Sequence, residues 1–150
     1  FTISCWAKCV DNGANQILVA VNGAALGTVT LIRVSCDNDN KYFDVYDGNG
    51  VDITGTTNVA DGNWHYFTYV RTGNVSNDAY IYVDGVFENS GIHTSGLSSN
   101  DLWSIGQEWD AGPTASQFFN GQIANVQVYN RALSVAEITQ NMNAQRSRFI

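Results

Sequence analysis

Apolar and polar residues alternate from the first position onward. In Phe1–Lys8, Phe1, Ile3, Cys5 and Ala7 fall on one side and Thr2, Ser4, Trp6 and Lys8 on the other, the period of a strand with one face on a core. Gln16–Val21, Thr28–Ser35 and Lys41–Asp47 continue the series, divided by Asn-Gly, Gly and Asp-Asn turn signals. Trp64–Arg71 and Ala79–Val83 follow, and Asp84-Gly85 leads into Val86–Asn89 as a hairpin with a primed turn. Leu102–Gly106 and Gly121–Tyr129 complete the set. Ile123 is out of phase with Val126 and Val128, which predicts a β-bulge near Ala124-Asn125.

One segment breaks the period of two. Ser134 is followed three residues later by Glu137, a capping box, and Leu133 and Ile138 stand where a hydrophobic staple places its pair. A helix from Val135 to Gln145 is predicted. About nine short strands with one late helix read as an all-β, antiparallel β-sandwich, a single domain over residues 1–150.

Composition supports this. Seventeen Asn, fourteen Gly and eighteen Phe, Trp and Tyr accompany a single Pro, turn formers between strand formers. The formal charge of −7 comes without any basic run, so a nucleic-acid partner is not expected. No apolar stretch approaches the ~18–20 residues of a membrane span. The chain opens at Phe1 already inside an alternating segment, so it reads as a processed or excised piece, and a missing targeting signal carries no weight. Cysteine leaves two readings open. Cys5 and Cys9 would lie ~13 Å apart along a strand, too far to bridge. A Cys9–Cys36 bridge fits, and so do three separate buried thiols.

Oxygen-rich clusters stand at Asp37-Asn38-Asp39-Asn40 and Glu108-Trp109-Asp110, with Gln117 seven residues beyond Asp110. Calcium takes about 6–8 oxygen ligands. Residues two apart in an extended segment point the same way, so Glu108 and Asp110 could share one ion, faced also by the Trp109 carbonyl. Asp39 and Asn40 would join from a neighbouring loop. Two solvated turns explain the same residues without an ion, because Asp and Asn favour turns for their own backbone hydrogen bonds.

Several segments in order resemble one family. FTISCWAK, DGNWHYFTYVRTG, AYIYVDG, LWSIGQ and FFNGQIANVQVYNRALSVAEI are similar to the laminin-G-like and pentraxin-like branch of the concanavalin A-type sandwiches. The resemblance implies a jelly-roll sandwich that binds carbohydrates, phospho-head-groups or proteins, generally outside cells. It also implies calcium, one or two ions. The pentraxin glutamate and aspartate ligands fall on Glu108 and Asp110, the carbonyl ligand on Trp109, the glutamine on Gln117, and the Asp-Asn pair on Asp39-Asn40, with Asp37-Asn38 as an alternative register. Trp109 would stand at the ion's rim as a ligand-binding aromatic, or fold back over the loop to cover core. The chain departs from the family in three places. An N-terminal edge strand has no counterpart before Phe1, the pentraxin disulfide positions hold Ser4 and Phe67, and Ala124 and Asn125 replace residues that are often acidic.

The same sandwich resembles one that hosts glycoside hydrolases. Retaining hydrolysis needs two carboxylates ~5–5.5 Å apart, and the hydrolase motif E-x-D-x-x-E has Pro113 at its third carboxylate position here. Of the three Glu, Glu88 belongs to a hairpin and Glu137 to the helix cap. Neither a nucleophile triad nor zinc-type Cys/His spacing is visible. Trp6, Trp64 and Trp103 read as core, His65 as a hydrogen-bonded structural residue, His93 as a loop residue, and Asn74-Val75-Ser76 as a glycosylation sequon for a secreted chain. The expectation is a non-catalytic, calcium-dependent module for a glycan or phospho-head-group, located outside the cell, at a cell surface or on a virion. The alternatives are a structural or adhesion domain of a surface or virion protein, as a homo-oligomer or within a larger parent, and a degenerate glycoside hydrolase.

Overall fold

The computed structural model describes residues 1–24, 30–37, 41–73, 77–110 and 114–150. Its strands are β1 (Thr2–Val10), β2 (Gln16–Asn22), β3 (Thr30–Cys36), β4 (Tyr42–Asp47), β5 (Val51–Asn58), β6 (Asp61–Arg71), β7 (Asn77–Val83), β8 (Val86–His93), β9 (Leu102–Ile105), β10 (Glu108–Asp110), β11 (Thr114–Ser116) and β12 (Gly121–Tyr129), followed by helix α1 (Val135–Arg146). Two five-stranded antiparallel sheets form, in the orders β12-β1-β6-β7-β8 and β5-β4-β3-β2-β9, with β10 and β11 as a separate hairpin. This is the sandwich the alternation predicted.

The inward rows meet as expected. Ile3, Cys5 and Ala7 of β1 join Val21, Ile32, Val34, Phe43 and Val45 of the other sheet in one buried cluster. Phe43 meets Phe67 edge-on across it, centroids 5.0 Å apart, a geometry worth ~0.5–1.5 kcal/mol beyond burial itself. The opposite row of β1 faces the helix. Trp6, Tyr66 and Tyr82 pack against Leu133, Ile138 and Met142, and Phe149 stacks on Trp6 at 4.6 Å. The outer face of the first sheet is therefore covered around β1 and β6, while β8 stays largely exposed. The capping box is formed, with Ser134 Oγ accepting from the Glu137 N–H. The bulge also falls where predicted: the pairing slips one residue between Ser4/Gln127 and Trp6/Ala124, and Asn125 takes φ 50° there.

Polar motif residues turn out to be braces. His65 bonds Asp84 at 2.7 Å and Asp61 at 3.2 Å, and Asp84 also accepts the Tyr66 N–H at 2.8 Å. The tryptophan-histidine strand thus holds the Asp-Gly turn of the next hairpin. Arg71, fully buried, donates to the carbonyls of Ser95 (2.6 Å) and His93 (2.9 Å). Asp47, also buried, accepts from the N–H groups of Thr94 and Ser95. His93 is no loop residue. It ends β8, is fully buried and bonds Tyr69 Oη at 2.8 Å.

Three strands went unpredicted. In β5 only Ile53 and Gly55 are buried, and in β10 only Glu108, so no apolar row announces them; in β11 no residue is buried. Trp103 departs from its expected place in the core. In the pairing it stands opposite Val21, on the core side of β9, but β9 is an edge and 43% of the side chain is exposed. Val128, on the core side of edge strand β12, is exposed too. Between these edges opens a cleft of about 670 Å³, lined by Phe1, Leu97, Trp103, Val128 and Tyr129 among others. All three cysteines are free and buried.

Candidate functional site

With α1 over one sheet, the outer face of β5-β4-β3-β2-β9 is the broad surface left uncovered by helix. Alternation fixes what it presents. Arg33 lies between Ile32 and Val34, both core residues, so its side chain points away from the core. Its cross-strand row is Ser104, Ala20, Arg33, Tyr46 and Asp52, and the next row is Ile17, Ser35, Asp44 and Thr54. The face thus carries a guanidinium, a phenol, carboxylates and hydroxyls on a rigid sheet.

The β10–β11 hairpin folds back onto this face. Glu108 is 2% exposed, its Oε1 lies 3.6 Å from Arg33 Nη1, and its Oε2 accepts from Thr30 Oγ1 at 3.3 Å. Asn22 Nδ2 donates to the Trp109 carbonyl at 3.0 Å. The Ile17 N–H donates to the Gln117 carbonyl at 3.2 Å. These contacts pin the hairpin across β2 and β3. Arg33 also lies over the Tyr46 ring, 4.8 Å from its centroid, a cation–π contact that holds the guanidinium flat against the sheet.

Electrostatics follow from burial. Burial raises the Glu108 carboxyl above its usual range, Arg33 opposes the rise, and Asp110 adds to it. Burial likewise pushes Asp44 up to about 6, against its hydrogen bond from Thr54 at 2.7 Å, with Asp52 and Asp37 adding to the rise. Apart from Arg33, the titratable groups of this cluster are acids.

Among the residues expected to bind an ion, Glu108, Trp109, Asp110 and Gln117 are brought together. Glu108 pairs with Ser116, the residue before Gln117, and alternation along β10 puts Asp110 on the Glu108 side and Trp109 on the other. Asp39, Asn40 and Asn38 lie outside the described residues. Asp37 follows β3, two positions beyond Ser35. Gln117 takes φ 49°, and its buried Oε1 has no hydrogen-bond partner among the described residues. Arg33 already faces Glu108. Among the described residues no group of three or more His, Cys, Asp or Glu is placed to hold a metal.

The face residues themselves were not singled out from sequence. Their signal was present in Arg33, Ser35, Asp44 and Tyr46, polar residues at alternate positions of strands whose other residues are core. The large apolar cleft beside Trp103 is a different place and carries no carboxylate among its lining residues.

Comparison with known proteins agrees with this architecture. A laminin-G family model, described as the concanavalin A-like lectin/glucanases superfamily, matches residues 1–139. No curated protein sequence matches the chain. The carbohydrate-binding module CBM40 of the Ruminococcus gnavus IT-sialidase, bound to α2,3-sialyllactose, superposes with a TM-score of 0.77 at 15% identity, covering 93% of this chain and 80% of that one. Domain 4 of AbnA, a GH43 extracellular arabinanase of Geobacillus stearothermophilus in complex with arabinotriose, gives 0.72 at 16% identity, covering 93% and 64%. The binding domain of botulinum neurotoxin DC in complex with SialylT gives 0.63 at 15%, covering 95% and 35%. At these identities the likeness is one of fold. No helix among the described residues is long and apolar enough to cross a membrane.

Proposed function

The chain belongs to the concanavalin A-like lectin/glucanase superfamily, and on that premise we propose that it is a non-catalytic carbohydrate-binding module that works outside the cell. One observation carries the reading. The outer face of the β5-β4-β3-β2-β9 sheet presents Arg33, Tyr46, Asp52 and Thr54 in adjoining cross-strand rows, walled on one side by the hairpin that carries Trp109. Sugars present hydroxyls to such carboxylates and hydroxyls, and their apolar faces to aromatic rings. The neighbours named for sialyllactose and arabinotriose support a glycan as the ligand class.

Catalysis finds no support in the same residues. The hairpin's buried carboxylate, Glu108, is locked to Arg33 and Thr30, and a retaining hydrolase needs a second carboxylate free to act as nucleophile. Pro113 occupies the position where the hydrolase motif would supply the third acid.

A second reading adds calcium at the same site. The unpartnered Oε1 of Gln117 and the shared side of Glu108 and Asp110 favour it. Asp110, Gln117 and the Trp109 carbonyl would hold the ion, with Glu108 shared between it and Arg33. Bound there, it would supply positive charge to a hydroxyl-rich or phosphate-bearing ligand.

A glycan array probed with and without chelator tests both. Retention on a glycan that is lost in Tyr46→Ala and Asp52→Ala, with folding intact, is the expected result. Loss in chelator, and in Asp110→Ala, adds calcium to the reading; persistence in chelator removes it. Retention on no glycan would overturn the proposal in favour of an adhesion domain, and turnover of a β-glucan in favour of a hydrolase.

A further inference from the structure

Cys9 sits on β1 of one sheet and Cys36 on β3 of the other, and both are in the cluster between the sheets, 0% and 1% exposed. Each is the first influence on the other's thiol, Cys36 raising that of Cys9 and Cys9 lowering that of Cys36. Two further contacts fix this juxtaposition. Gln16 stands opposite Cys36 in the β2–β3 pairing, and its side chain spans to the first sheet's neighbourhood, Nε2 donating to the Val10 carbonyl at 2.7 Å and Oε1 accepting from the Asn120 N–H at 3.0 Å. On β1, Cys9 is opposite Gly121. The side chain beside Cys36 therefore grips the residue after Cys9.

We propose that Cys9 and Cys36 are a cross-sheet disulfide pair, closed by thiol–disulfide exchange with a small disulfide such as oxidised glutathione. One cysteine thiolate attacks a sulfur of the oxidant, forming a mixed disulfide and releasing one reduced thiol. The second loses its proton and attacks the first cysteine's sulfur, releasing the other. Two protein thiols are oxidised by two electrons, one small disulfide is reduced to two thiols, and the two protons pass to them. Cys5 is no competitor. It lies four residues along the same strand from Cys9, ~13 Å in extended chain and beyond bridging distance, and burial pushes its thiol up to about 12.

Burial also dictates when exchange occurs. With neither sulfur open to solvent, the native fold excludes the oxidant, so closure belongs to folding or to opened molecules. Once closed, the bridge ties the two sheets together and constrains the unfolded chain between the strands it joins.

The test is refolding of the full chain in a glutathione redox buffer and, separately, in excess reductant, followed by thiol counting in denaturant. Oxidative refolding should leave one thiol where reductive refolding leaves three, with an intact mass lower by two hydrogens and a Cys9–Cys36 linked peptide on non-reducing digestion. The melting temperature of the oxidised form should be higher by about 5–10 °C. Cys5→Ser should give no thiol after oxidation, which keeps the test independent of variants at the pair itself. Three thiols after oxidative refolding, or a linked peptide containing Cys5, would overturn the proposal.

Discussion

Arg33 and Glu108 face each other at 3.6 Å across the junction of sheet and hairpin, one 19% and the other 3% exposed at the side chain. The hairpin follows β9 after two residues, and this pair, with the Asn22 and Gln117 contacts, holds it across β2 and β3. Arg33→Ala should leave a buried carboxylate without its cation and cost about 1–3 kcal/mol, reduced from a fully buried pair by the partial exposure of Arg33. In a Glu108→Gln background the same change should cost at least about 1 kcal/mol less. Urea denaturation of the four proteins measures that coupling, and additive losses would show the pair to be incidental.

Acid sensitivity should be masked by one buried aspartate. Burial holds His93 down to about 4 in the fold, against the ordinary 6.5, with Asp47 opposing and Arg71 reinforcing. Below 6.5 the unfolded chain gains a proton that the folded His93 refuses, so stability falls as pH drops towards 4, by up to about 3 kcal/mol. Asp44, raised to about 6 from 3.8, has the opposite slope, since the fold binds its proton more tightly than the unfolded chain over that window. Asp44→Asn should therefore lose stability more steeply than wild type between pH 6.5 and 4. Parallel stability curves from denaturation at stepped pH would refute this.

The helix cap offers a simpler measurement. Ser134 Oγ accepts the Glu137 N–H, and Glu137 returns a bond to the Ser134 N–H at 2.9 Å while pairing with Arg131 at 2.7 Å. Ser134→Ala should lower stability by ~0.5–2 kcal/mol. An unchanged denaturation midpoint would mean that Ile138 and Met142 anchor the helix by packing alone.

Gly121 should tolerate no side chain. A Cβ there would lie 2.2 Å from the Lys8 carbonyl oxygen and 2.8 Å from Phe119 Cε1. Since Gly121 pairs with Cys9, a backbone must move to make room. Gly121→Ala should cost about 2–4 kcal/mol, read from the shift in thermal midpoint, with Gln122→Ala next to it as the exposed control.

The sandwich was legible where one face of a strand is core. Phe1, Ile3, Cys5 and Ala7 announced β1, and Ile123 against Val126 announced the bulge, because a bulge is visible as a slip of phase. The strands β5, β10 and β11 were silent for the same reason: they bury too few apolar residues to set a period. The candidate site was half legible. The spacing of Glu108 and Asp110 gives them one side of β10 by alternation, but the partner of Glu108 came from a strand far off in sequence, and spacing within a loop does not reveal an arginine placed across a sheet. His93 shows the same limit. Its burial depends on Tyr69 and Arg71, which meet it only once β6 and the end of β8 are assembled.

The tail that packs on the first sheet also turns the tryptophans into reporters. Trp6 has no exposed surface and carries Phe149 flat against its ring, while Phe149 also touches Trp64 at 4.8 Å. Trp103 stands in the open flank and Trp109 on the hairpin. The indoles thus sample separate neighbourhoods of one molecule, and their emission need not change together. Release of the C-terminal tail would redden Trp6 and Trp64 first, whereas a ligand seated against the hairpin would act on Trp109. A variant retaining Trp109 alone would separate the optical signal of occupancy from that of fraying.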